Sequence, residues 1–172
     1  MADVEGATPV LRRAARVLAV SDRGRLLLLR GHDPARPEIH VWHAPGGGVD
    51  HGESDRAAAV REFAEETGRR VEPGPLVWDR ELDFSFNHVR YRQHEVFFLA
   101  HVGPEFEPDA AGHDAMEVET LSGHGWFTPD ELGALAGERD LLAPPDLVGR
   151  FAAILRDGPP ELPVRVLGAE PS

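Results

Sequence analysis

Residues 47–69 read GGVDHGESDRAAAVREFAEETGR, a glycine-rich loop running into a short helix that stops at Gly68. Ser54 is placed to cap the helix, with Asp55 favourable in its first turn. Val60 and Phe63 give it an apolar side. The last turns carry Glu62, Glu65 and Glu66. At about 100° per residue, Glu65 and Glu66 fall on either side of Glu62, and the three carboxylates share a stripe about 100° wide. Glu62 and Glu66 are an i,i+4 like-charge pair, which weakens an isolated helix. They also precede a C-terminal glycine, where the helix dipole disfavours carboxylates. Two local rules broken at one place mark a position kept for function. A divalent cation would turn the repulsion into coordination, and the segment reads as a metal site.

The rest of the chain bounds this reading. At 172 residues, with 41% hydrophobic and 28% charged residues, it suits one globular domain with a real core. The formal net charge of −12 argues against nonspecific binding to a nucleic acid polymer or an anionic membrane. There is no cysteine, which excludes disulfides, thiolate zinc sites and cysteine nucleophiles. No apolar run approaches a transmembrane length. No basic stretch followed by a long apolar one opens the chain, and a cytoplasmic location is expected.

Residues 1–9 are small, polar and acidic, and are expected to be loose. Residues 12–20 and 25–30 read as strands joined by a Ser21-Asp22-Arg23-Gly24 turn, a hairpin whose second arm, Leu26 to Leu29, is buried on both faces. Residues 31–38, with two prolines, read as a loop, and 39–43 as a short strand leading to Pro45-Gly46-Gly47-Gly48. Two long strands, 76–86 and 89–102, flank an Asn87-His88 turn. Thr128-Pro129-Asp130-Glu131 is a capping box with proline at its first helical position. Residues 146–156 form an amphipathic last helix. A single domain is expected over 10–158, followed by a tail, 159–172, that packs on it loosely.

The spacing of the acidic helix resembles the signature of the Nudix hydrolases, G-x5-E-x7-R-E-U-x-E-E-x-G-U, where U is a bulky apolar residue. Gly47, Glu53, Arg61, Glu62, Phe63, Glu65, Glu66 and Gly68 fill it in register. Phe63 stands where an aliphatic residue is commoner, and Arg69 where the signature closes on an apolar one. The resemblance implies an α/β fold: an α/β/α sandwich with a mixed central sheet and the signature as loop–helix–loop. It implies hydrolysis of a diphosphate bond in a nucleoside diphosphate linked to another moiety, with Mg²⁺ or Mn²⁺. The substrate classes are NTPs, oxidised dNTPs, nucleotide sugars, ADP-ribose and dinucleoside polyphosphates. Many members are dimers, and a homodimer is compatible with it. A second reading is a Nudix-fold sensor that binds a nucleotide derivative without cleaving it, although such proteins usually lack some of the carboxylates present here.

The resemblance assigns Glu62, Glu65, Glu66 and the Gly46 carbonyl to the metal, with Glu53 and Arg61 supporting them. The general base is Glu62 or a glutamate of the later loop, where Glu119 is preferred to Glu117. Arg90, Arg92 and His94 alternate on one strand face and are candidates for phosphate contact, as is Arg16 on the first strand. Asp146 is a candidate for hydrogen bonding to a purine edge, or simply a cap of the last helix.

Overall fold

In the computed structural model, which describes residues 8–168, the leucine run explains the layering. Strand β1 (Val10–Ser21) and strand β2 (Leu26–Asp33) meet at the turn. Leu26, Leu27, Leu28 and Leu29 are all buried. Leu26 and Leu28 enter one core layer and Leu27 the other, as the two-residue period of a strand requires. The remaining strands are β3 (Arg36–His43), β4 (Gly46–Gly48), β5 (Leu76–Phe86), β6 (Val89–Gly103), β7 (Leu121–Phe127), β8 (Asp140–Ala143) and β9 (Val164–Arg165). Their order in the mixed sheet is β8-β3-β2-β1-β6-β5-β9, with β4 added to β1 and β7 to β2. Asn87 and His88 both take positive φ, at 47° and 64°, the geometry of a two-residue hairpin turn.

Helices cover both faces. Helix α1 (Asp55–Thr67) sets Ala58, Ala59 and Phe63 against Val17, Leu27, Val96 and Phe98. Ser54 accepts a hydrogen bond from the Ala57 N–H, and Gly68 closes the helix at φ 71°. On the opposite face, helices α3 (Pro129–Leu135) and α4 (Leu147–Asp157) bring Leu132, Leu147, Phe151 and Ile154 over Leu18, Leu28, Trp78 and Phe97. The short helix α2 (Ala115–Thr120) leads into β7. After Asp157 the described chain adds β9 beside β5 and buries Val166. Residues 1–7 and 169–172 of the expected terminal segments lie outside the described residues.

Two expectations change. Residues 31–38 are not a loop: β2 runs on to Asp33 and β3 starts at Arg36. The register passes from His32↔His40 to Asp33↔Arg36, which leaves Pro37, Glu38 and Ile39 as a bulge. A residue without an N–H is tolerated there. Nor are β1 and β2 a full hairpin. They share only the register pair Val20↔Leu26 and then diverge, β1 pairing with β6 and β4, β2 with β3 and β7. The divergence opens a cleft. Among the described residues no helix is long and apolar enough to cross a membrane.

Phe63 is fully buried between α1 and the sheet. Phe63→Ala is expected to cost about 3–5 kcal/mol of stability, read from urea unfolding.

Candidate active site

The cleft has a volume of about 550 Å³, within the usual range for small-molecule sites. One wall is the diverging β2–β3 hairpin, with His32, Ile39 and Val41. The other is the face of β1, β6 and β5 that carries Arg12 and Arg16, Gln93 and Glu95, and Arg80, Leu82 and Phe84. Glycines 46 to 48 and the carboxylates Glu62 and Glu66 stand at one side, α2 at another.

The backbone at β4 explains how α1 reaches the cleft. Gly46 has φ 144°, and a Cβ there would lie 2.3 Å from the Ala15 carbonyl, which only glycine avoids. At Gly47 a Cβ would lie 2.5 Å from the Glu62 carboxyl carbon. The bare backbone is therefore the seat of that carboxylate. The Gly46 N–H donates to Glu66 Oε2 at 2.7 Å. Glu66 is 5% exposed. Burial pushes its carboxyl up to about 8, against the opposing pull of Arg16 and the Gly46 N–H, and Glu62 and Glu117 add to the rise. Burial also raises Glu62.

Arg61 organises the other acids. It donates to Glu53 from Nε at 3.0 Å and from Nη2 at 2.8 Å, and Nη2 also reaches the Gly48 carbonyl at 2.9 Å. Nη1 donates to Glu62 at 2.8 Å and to Glu65 at 3.4 Å. Glu53 in turn accepts from the Asp50 N–H. Its carboxyl is lowered by these bonds, first that to Arg61. Glu53 thus ties the loop to the helix, while Glu65 is turned to Arg61 with its side chain 44% exposed.

Behind the acids lies a buried ionic cluster. Glu95 is fully buried between Arg16 and Arg80, with its Oε2 accepting from Arg80 Nε at 2.5 Å and its Oε1 paired with Arg16 Nε. Burial alone would raise the Glu95 carboxyl, but Arg16 and Arg80 outweigh it and hold the group at about 2. Arg16 Nη1 also donates to the carbonyls of Ala44 at 3.0 Å and Gly46 at 3.2 Å. His43 meets the same guanidinium at 3.2 Å. Burial, then Arg16, hold His43 down at about 4, and it is neutral at pH 7.

Other sequence candidates lie elsewhere. Arg92 is exposed and paired with Asp83 at 2.8 Å, and neither it nor Arg90 lines the cleft. His94 lies by Arg13 and Asp79. These residues occupy the wrong parity of β6: Gln93 and Glu95, one residue out of step, face the cleft. Asp146 makes no side-chain cap. It accepts from Arg150 Nε at 2.8 Å and from the Leu167 N–H at 3.3 Å, outside the cleft lining. Glu119 and Glu117 are placed differently. Glu119 is exposed and off the lining, whereas Glu117 lines the cleft and completes the cap of α2 with Asp114. Sequence reasoning passed over Arg12, His43, Arg80, Gln93 and Glu95. The inner half of β6 is buried on both faces, and its apolar pattern carries no parity signal.

A divalent cation fits this end of the cleft. Among the described residues no three His, Asp or Glu side chains converge as a closed cage. Glu62 and Glu66 nevertheless meet the Gly46–Gly48 backbone there, and hard oxygens are what such cations take. Burial disfavours the bare Glu66 carboxylate, and a bound cation would offset that cost. Fold and site together have the build of a metal-assisted hydrolase of phosphate anhydrides.

The chain matches the NUDIX domain model over residues 10–145. An RNA pyrophosphohydrolase of Erythrobacter litoralis is 32% identical over 136 residues, which span 72% of this chain and 80% of that one. The MutT protein of Methanosarcina mazei has the same fold, with a TM-score of 0.63 at 19% identity over 88% of this chain and 100% of that one. A MutT NUDIX hydrolase of Burkholderia pseudomallei aligns with a TM-score of 0.53 at 28% identity, covering 71% and 86%. The chain belongs to the Nudix family, whose members generally depend on a divalent metal. It is a pyrophosphohydrolase that cleaves a diphosphate bond.

Glu95→Gln would leave two buried guanidiniums without their carboxylate, and a loss of about 3–5 kcal/mol at pH 7 is expected from urea unfolding. Because the folded-state value lies below the ordinary 4.5, the Glu95 contribution is present above that value and lost as pH falls towards about 2. The wild-type advantage over Glu95→Gln should shrink across that window.

Proposed function

We propose that the cleft takes a nucleoside diphosphate derivative of mononucleotide size and cleaves its anhydride beside Glu62 and Glu66, with Mg²⁺ or Mn²⁺. One observation carries the reading. Two carboxylates meet the glycine backbone at one end of a cleft whose floor is Arg12, Arg16 and Arg80. Glu62, Glu66 and the Gly46 carbonyl would hold the cation, with Glu65 available once it leaves Arg61. When bound, the cation neutralises charge on the phosphate oxygens and lowers the pKa of water.

The remaining roles belong to the chain itself. Arg61 and Glu53 keep α1 in register with its loop, so that Glu62 and Glu66 arrive together. Arg16, fixed by Glu95 and two carbonyls, presents positive charge towards the leaving phosphate. Glu117 is the base of this reading: it lines the cleft, and its charge is felt by Glu66. It would accept the proton of the attacking water.

The relative named for RNA favours a second substrate, the 5′-terminal nucleotide of an RNA. The net charge of −12 opposes extended contact with a polymer, and only the terminal nucleotide would enter the cleft. A screen of NTPs, oxidised dNTPs, nucleotide sugars, ADP-ribose, dinucleoside polyphosphates and a 5′-triphosphorylated oligoribonucleotide, with product identification, separates the two. No turnover of any of them with Mg²⁺ or Mn²⁺ would sink the proposed reaction.

Glu66→Gln should fold and lose most of its metal-dependent kcat/KM. Activity near wild type would remove Glu66 from the metal site. Glu117→Gln should lower kcat by about a hundred-fold or more, and Glu119→Gln by far less. The reverse order in steady-state rates would restore Glu119 as the base.

A further inference from the structure

Among the described residues, two buried side-chain atoms have no hydrogen-bond partner, Oε1 of Gln93 and Nδ1 of His32. Both residues line the cleft, Gln93 on β6 and His32 on the opposite wall. Gln93 is 3% exposed, and a buried amide oxygen without a donor is destabilising unless something else fills the position.

The orientation of the amide is dictated by its neighbour. Gln93 Nε2 donates to Glu95 Oε1 at 3.2 Å. Glu95 is ionised between two guanidiniums and can only accept. A flipped amide would set oxygen against oxygen. The NH2 group therefore faces Glu95, and Oε1 is left as a fixed acceptor.

Its partner must be a donor, which rules out a phosphate oxygen. Gln93 is paired in register with Leu82, and the next pair on the same face of the sheet is Phe84 with Tyr91. Leu82 and Phe84 also line the cleft, and Oε1 stands where the charged floor gives way to apolar surface. Such surface suits a flat heteroaromatic ring better than a sugar.

We propose that Gln93 is a specificity-determining residue whose Oε1 accepts a hydrogen bond from the exocyclic amino group of a nucleobase lying against Leu82 and Phe84. The inference rests on the proposed function only in taking a nucleotide as the occupant. Glu95, Arg16 and Arg80 act through Gln93 as positioning residues, and the same buried cluster that supports the phosphate end also sets the base end.

The test is titration calorimetry with nucleoside monophosphates and Mg²⁺. These ligands have no anhydride to cleave, and binding is read whether or not the protein turns over. AMP is compared with purine riboside 5′-monophosphate, GMP with IMP, and each with its 2′-deoxy form. In the wild type, one amino-bearing nucleotide should bind at least about ten-fold more tightly than its partner lacking the amino group. Gln93→Leu and Gln93→Met should close that gap to within about two-fold, with little change for the partner lacking the amino group. A wild type that separates neither pair overturns the inference, and this outcome needs no variant to fold. It is also overturned if the variants keep the gap, if only the 2′-hydroxyl matters, or if no nucleotide binds. Binding with the expected discrimination but no hydrolysis of any substrate would overturn the proposed reaction alone.

Discussion

Arg16 holds the separate parts of the site to one geometry. Its guanidinium bonds Glu95 on β6, the Ala44 and Gly46 carbonyls and His43. A guanidinium with its side chain 17% exposed is costly to place unless its hydrogen bonds are satisfied and its charge is balanced. Here a carboxylate and two carbonyls do both. The bond to the Gly46 carbonyl matters most for the site, because the N–H of the same glycine anchors Glu66. One residue thus carries the contact between the ionic floor and the acidic helix.

The cleft itself follows from sheet geometry. β1 cannot pair with β2 along its length, because β4 and β6 take its two edges beyond the turn. β2 must then find other partners, and it does so in β3 and β7. Polar residues collect on the facing walls of the gap between the two halves. Gly46 is the hinge of this arrangement. A side chain there would strike the Ala15 carbonyl, β4 could not lie on β1, and Glu62 and Glu66 would lose the backbone on which they are seated.

What could be read from the sequence was local. The acidic stripe, the Ser54 cap, the Gly68 stop and the Asn87-His88 turn each depend on residues a few positions apart, where helix and turn rules act. The second wall of the site depends on contacts between distant strands. Arg16 and Glu95 are 79 positions apart, and Arg80 and Glu95 meet only because β5 and β6 pair. Strand periodicity offers two faces. The charged positions Arg90, Arg92 and His94 drew attention to the outer one, since the face that carries Gln93 and Glu95 continues into Phe97 and Leu99, and both faces of that stretch are buried. Parity was undetermined, and the buried acid was missed with it.

The electrostatics connect the local and the distant parts. A protein of net charge −12 repels a polyphosphate as a whole, and Glu62 and Glu66 add to this at the proposed site. Arg12, Arg16 and Arg80 offset this on the cleft floor, but Glu95 already answers two of them, while Glu62 is paired with Arg61 and Glu66 is held by the Gly46 N–H. Burial raises both of those carboxyls, Glu66 to about 8. The folded chain therefore keeps beside the glycine backbone two carboxyls whose charged forms burial disfavours, and this is an electrostatic cost. A divalent cation removes it for the carboxylates and for the phosphates together. The strain visible in the bare helix sequence is in this sense carried through to the folded protein, and under the proposed function it is the property that favours a cation and an anhydride in combination.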